Sequence, residues 1–309
     1  MKRRSSRDDA SRQRDSRREF LKRFCVLAGV SMVPAERLTR MTKLLQAQSP
    51  DDEEICAGKF EIARKESLAT RPIGEIVVAA GTSFLKTPYV AHTLEANGPE
   101  GLVMNLRGLD CVTFVENTLA LARCIRLGQY SYEQDRQQLQ LIRYRGGRIE
   151  GYPSRLHYFS DWIFDNAEKK VVRDVTKEIG GVLYLKPINF MSEHRASYAQ
   201  LAEEGFVKAI RHQELMIGAR EKYYIPKAIL GESQGSIQPG DIIGITTSVE
   251  GLDISHTGIA VSMNGVIKYL HAPLSNGAVQ ISDNSLADYL ALHNNQTGVM
   301  VARPLEPHA

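Results

Sequence analysis

The stretch LDCVTFVENTLALARCIRLG, residues 109–128, decides how the rest of the chain is read. Val112, Val115, Leu119, Ala122 and Ile125 recur at helical spacing, Arg123 and Arg126 fall near the C-terminal end, and Gly128 follows as a stop. The spacing predicts a largely buried helix that opens at Cys111. A cysteine at a helix start meets unpaired backbone N–H groups and the positive end of the helix dipole, both of which favour thiolate over thiol. The same N–H groups can receive an oxyanion, so Cys111 is a candidate nucleophile, although most lone cysteines are small core residues.

Working outward, Asp51-Asp52-Glu53-Glu54 suits a helix N-terminus and predicts a helix over about 52–68, broken by Arg71-Pro72. A second apolar run covers Ile73 to Leu85. Residues 86–110, with Pro88, Gly98-Pro99 and Gly101, read as a long loop. Beyond the central helix, Ser131 and Gln134 form a capping box for a helix to about Leu141. Helices are also expected over 155–167 and 196–220, with strands around Gly180-Gly181. The last hundred residues hold short β-rich runs at 223–230, 241–247, 256–263, 266–271, 279–282 and 299–303. Asn264-Gly265 joins two of them in a hairpin. Helices followed by an antiparallel sheet make an α+β fold.

The 309 residues include 43% hydrophobic and 24% charged positions, an ordinary globular composition. The net charge of +3 is uneven. Residues 1–35 carry ten Lys/Arg against four acids, leaving 29 basic and 32 acidic side chains downstream. A basic excess confined to the leader argues against a nucleic-acid partner. That leader resembles a twin-arginine export signal: Ser16-Arg17-Arg18-Glu19-Phe20-Leu21-Lys22, an apolar run from Phe24 to Val33, and small residues for cleavage after Ala35. The apolar run is shorter than the ~20 residues of a permanent span. The expected organisation is an export signal at 1–35, a linker at 36–50 and one domain at 51–309, exported and periplasmic, with the twin-arginine machinery as a transient partner. Downstream lie Cys56, Cys111 and Cys124. Cys111 and Cys124, thirteen residues apart on one helix, stand about 20 Å apart, too far for a disulfide, so at least one thiol is free.

Two histidines complete the constellation. Ser255-His256 opens one β run and Leu270-His271 ends the next, so a hairpin brings them together. On one face, His256 could serve Cys111 as base while His271 holds its second ring nitrogen. Three rival patterns are weaker. Gly231-Glu232-Ser233-Gln234-Gly235 matches a serine elbow but lacks a following helix. Asp253, His256 and His271 could ligate zinc, without any HExxH support. A non-catalytic binding module would have lost the cysteine or a histidine.

The segments Pro239-Gly240-Asp241-Ile242-Ile243, Ser255-His256-Thr257-Gly258-Ile259 and Leu270-His271-Ala272-Pro273, with Asp110-Cys111, resemble the signatures of NlpC-type, papain-like cell-wall peptidases. Thr87-Pro88-Tyr89, Asn105-Leu106-Arg107, Leu109 to Asn117, Arg143-Tyr144-Arg145 and Tyr152 to Trp162 resemble, more specifically, the N-acetylmuramoyl-L-alanine amidase-like branch, over roughly residues 55–305. The resemblance implies a papain-like core and hydrolysis of the amide between the lactyl group of muramic acid and L-alanine, with anhydro-muramoyl ends preferred. It also implies Cys111 as nucleophile, His256 as base and His271 as orienting residue, with no cofactor and no metal. A nearer rival is an endopeptidase cutting after D-glutamate in the stem peptide. Substrate walls are expected from Tyr89, Arg107, Asp110, Arg148, Tyr152, Arg155 and Tyr158: Tyr152 and Tyr158 to stack on sugars, and Arg107, Arg148 or Arg155 to pair with carboxylates.

Overall fold

The computed structural model describes residues 51–95 and 98–308, so the expected leader and linker lie outside the described residues. Among the described residues are seven helices of six residues or more and eight strands. The helices are α1 (Asp52–Lys65), α2 (Ile73–Thr82), α3 (Cys111–Leu127), α4 (Tyr132–Arg143), α5 (Phe159–Glu168), α6 (Glu204–Ala219) and α7 (Leu286–Ala291). The strands are β1 (Val172–Asp174), β2 (Val182–Leu183), β3 (Tyr223–Pro226), β4 (Ile242–Thr247), β5 (Ile254–Met263), β6 (Val266–His271), β7 (Gln280–Ile281) and β8 (Gln296–Pro304). All pair antiparallel in one sheet of order β2-β3-β8-β4-β5-β6-β7, with β1 also on β8. The expected helices-then-sheet α+β order is what the chain adopts.

Local chemistry explains the boundaries. Asp51 caps α1 by accepting from the Glu54 amide, and Ser131 with Gln134 closes the capping box of α4. Gly128 ends α3 at φ +68°, a left-handed conformation that favours glycine. Asn264 and Gly265, at φ 54° and 79°, turn the β5–β6 hairpin. Several expectations need correction. Residues 155–158 are extended, not helical, because Arg155 bridges to Tyr144 and α5 starts only at Phe159. The helix expected from 196 starts at Glu204, preceded by two 3-10 turns. The run expected to stay β to 230 leaves the sheet after Pro226, and Ser233 ends a single helical turn. Helix α7 carries only Leu286 and Leu290 as its buried positions, too few for a periodic signal.

The sheet is buried on both faces. Ile242, Ile259, Leu270 and Met300 face Phe114, Val115 and Leu119 of α3 in the larger core. Ile243, Ile245, Ala260, Tyr269, Val299 and Val301 form a second core with Leu286 and Leu290 of α7. Within the first core Arg143 Nε meets Glu116 Oε2 at 2.6 Å, both side chains almost wholly buried, and the guanidinium also donates to the Val103 carbonyl. Burial pushes the Glu116 carboxyl up and Arg143 pulls it back. This pair locks α4 and the 100–105 segment onto α3. Arg143→Met strands an anion, and urea unfolding is expected to show a loss of about 3–5 kcal/mol. The double variant Glu116→Leu/Arg143→Met should recover most of it; equal losses in both would contradict the pairing.

Candidate active site

Asp110 is the cap from which α3 grows. Its side chain accepts from the Thr113 amide at 2.8 Å while the Thr113 hydroxyl accepts from the Asp110 amide at 2.9 Å. Asp110 thus organises the helix start. The Phe114 amide reaches the Asp110 carbonyl, so the Cys111 and Val112 amides are the first-turn donors without a protein acceptor among the described residues. The preceding chain is strapped down: the Leu109 amide donates to Pro88, and the Val90 amide to Leu109. That strap sets Tyr89 beside the site, where burial and then the charges of Cys111 and Asp110 push its hydroxyl up.

Strand β5 supplies the other half. Thr257 and Ile259 point toward α3, and the Thr257 hydroxyl donates to the Cys111 carbonyl at 2.8 Å. His256 alternates to the opposite face, with Ala260, and His271 of β6 joins it there beside Tyr269. His256 Nε2 and His271 Nδ1 share a hydrogen bond of 2.7 Å. The helix and the histidines therefore occupy different faces of one sheet. At the margin of the sheet β6 stops at His271 opposite Gly258 and leaves His256 and Thr257 beyond its end, and Cys111 lies near enough to Tyr269 and Tyr289, the rings beside His271, to add to burial in pushing their hydroxyls up. Gly258 is obligatory at this crossing: a Cβ would lie 2.5 Å from the Leu270 carbonyl oxygen and 2.7 Å from the Tyr269 ring.

Electrostatics revise one expectation. Burial pushes the Cys111 thiol up to about 12 and the neighbouring Asp110 raises it further, while the Thr257 amide and hydroxyl pull it back. Desolvation and the Asp110 charge both favour the thiol over the thiolate. Burial also holds His256 down to about 4, helped by His293, and His271 lower still, helped by His256 and His293. Sulfur and imidazole rest neutral.

The remaining candidates disperse. Arg107 forms a bidentate pair with Asp52 of α1, at 3.2 and 3.0 Å. Arg148 is exposed in an open cavity of about 550 Å³ with Arg145, Glu150 and Gln213. Tyr152 is buried, its ring 4.4 Å from His157 and 6.1 Å from Phe206. Arg155 is buried between Glu95 and Glu100, and Tyr158 is buried with its hydroxyl on Glu214 at 2.7 Å. As substrate contacts, Tyr152, Arg155 and Tyr158 are corrected: all three are buried, and Arg155 and Tyr158 are already held by internal carboxylates. Asp253 accepts from the Ser160 amide, and among the described residues no three His, Cys, Asp or Glu side chains are grouped to hold a metal ion. Sequence reading missed Thr257, whose signal was its place next to His256, and Tyr269 and Tyr289, which gave none.

A family model described as N-acetylmuramoyl-L-alanine amidase-like matches residues 79–299. The chain belongs to that family. It is 38% identical to an N-acetylmuramoyl-L-alanine amidase from Bacteroides uniformis, covering 75% of this chain and 98% of that one, with a TM-score of 0.72. A Bacteroides fragilis protein assigned provisionally as a xylanase is 35% identical over 73% of this chain and 99% of that one, with a TM-score of 0.67. A Legionella pneumophila protein, 22% identical over 80% of this chain and 93% of that one, shares the fold at a TM-score of 0.58. No curated protein matches the sequence.

Cys56, Cys111 and Cys124 are all free; Cys56 and Cys124 are fully buried and Cys111 is partly accessible. In the native protein, iodoacetamide should therefore modify Cys111 alone of the three, at a rate that keeps climbing from pH 7 to pH 10. Peptide mass spectrometry checks this. A plateau below pH 7 would mean a preformed thiolate.

Proposed function

We propose that this family member is an exported cysteine amidase of papain-like, NlpC-type architecture. Its substrate in this reading is peptidoglycan or its fragments, anhydro-muropeptides included, cut between the muramic acid lactyl carbonyl and L-alanine. The observation that supports the reading is the Thr257 hydroxyl bond to the Cys111 carbonyl, which ties the helix start to β5 one residue from His256, itself hydrogen-bonded to His271. Glycosidic cleavage needs two opposed carboxylates, whereas the groups assembled here are a thiol and two imidazoles.

With Nε2 committed to His271, His256 Nδ1 is the nitrogen left for proton transfer. It takes the Cys111 proton as the sulfur attacks the lactyl carbonyl carbon, so the thiolate forms only as it reacts. The carbonyl oxygen becomes an oxyanion facing the Cys111 and Val112 amides. His256 then gives its proton to the alanine nitrogen, the C–N bond breaks, and the stem peptide leaves with a free amine. A thioester remains on Cys111. Water, deprotonated by His256, attacks it; the lactyl carboxylate departs and the thiol is restored.

Export rests on the leader. The Arg17-Arg18 pair, Phe20-Leu21 and the apolar run in order support twin-arginine passage, a linker at 36–50 and a single domain at 51–309 in the periplasm. No described helix is long and apolar enough to cross a membrane.

Incubation with a defined anhydro-muropeptide should release the intact stem peptide beginning with L-alanine, identified by mass. Cys111→Ala should lose activity by about 10³-fold or more. Fragments cut after D-glutamate would make it an endopeptidase, and an equally active Cys111→Ala would remove the thiol mechanism. The pH profile of kcat/KM is a further check. The base works unprotonated and burial holds His256 at about 4, so activity should persist at pH 5 and fall only as pH drops through about 4. An acid limb at the ordinary histidine value near 6.5 would contradict this.

A further inference from the structure

If His256 is to accept a proton on Nδ1, its own proton must sit on Nε2 and be donated to His271 Nδ1. His271 must then carry its proton on Nε2. That nitrogen is wholly buried and has no hydrogen-bond acceptor among the described residues, and His271 is 0% exposed, so bulk water does not reach it. An orphaned N–H would favour the other tautomer, in which His271 Nδ1 donates to His256 and blocks the base.

Aromatic rings surround the imidazole. Tyr269 lies 4.6 Å away at 32°, tilted over the face of His271, where it cannot meet an N–H that lies in the ring plane. His256 stands at 76° on the Nδ1 side. Tyr289 of α7 stands at 80° with centroids 5.2 Å apart, an edge-to-face arrangement compatible with an in-plane N–H meeting a π face. Its own setting is fixed: His293 packs on the Tyr289 ring at 4.5 Å and its Nδ1 bonds the Tyr289 carbonyl at 2.7 Å.

We propose that Tyr289 is a positioning residue whose ring face accepts the His271 Nε2–H, fixing the tautomer of His271 and, through it, of His256. The relay then runs Cys111, His256, His271, Tyr289, and its last member comes from α7, a helix that the sequence pattern does not reveal. The contact needs the ring of Tyr289 and not its hydroxyl. The proposal rests on His256 acting as the base.

Long-range proton–nitrogen NMR on protein carrying ¹⁵N-labelled histidine reads the tautomers without substrate, so a failed tautomer assignment is distinguishable from absent amidase activity. The parent should show protons on Nε2 of both His256 and His271. Tyr289→Phe should keep both tautomers and keep kcat within about two-fold. Tyr289→Leu should move His271 toward Nδ1–H and lower kcat on the order of 10-fold with KM little changed. Tyr269→Phe should leave both tautomers as they are. A parent with its His271 proton on Nδ1 overturns the proposal. So does a Tyr289→Leu protein with unchanged tautomers, a Tyr289→Phe as impaired as Tyr289→Leu, or a Tyr269→Phe that shifts His271.

Discussion

The hydrogen bond from the Thr257 hydroxyl to the Cys111 carbonyl ties the first turn of α3 to β5. Everything at the site depends on where that tie falls. Alternation along β5 sends Thr257 toward the helix and His256 away from it, so a helix centred on the sheet would be walled off from the histidines by the sheet itself. Joining the two at the first helical residue, beyond the end of β6, lets a side chain at the helix start approach a side chain on the far face. Gly258 serves the same requirement, since no Cβ fits between the Leu270 carbonyl and the Tyr269 ring.

Desolvation then sets the chemistry. The thiol rises and the imidazoles fall because each would be charged in a buried place. In the proposed reaction this separates rest from catalysis: the sulfur and the two imidazoles stay uncharged until a carbonyl carbon arrives to accept the sulfur's electrons. The two unengaged amides at the head of α3 stand where negative charge would develop. Thr257, its hydroxyl already on the Cys111 carbonyl, adds its backbone amide on the sulfur's side.

Much of this was legible in the sequence. The cap at Asp110, the buried stripe of α3, the stop at Gly128 and the Asn264-Gly265 hairpin are local signals, and each depends on residues within a few positions of one another. The closeness of His256 and His271 came from that hairpin. What sequence could not show depends on distant partners. Arg155 and Tyr158 carry the residue types of a binding wall, yet Glu95, Glu100 and Glu214 claim them from up to about sixty positions away. The thiol's raised pKa reflects how deeply the helix start is packed, which no spacing records. Helix α7 is too short for periodicity, and so Tyr289 stayed hidden.

The most direct measure of the account is the covalent state of Cys111 during turnover. Acid-quenched mixtures of enzyme and a muropeptide, read by intact mass and then by peptide mapping, should contain a thioester on Cys111 whose added mass is that of the sugar-lactyl portion. An adduct carrying the peptide portion, an adduct on any other residue, or steady turnover in which no adduct forms at any quench time would contradict it.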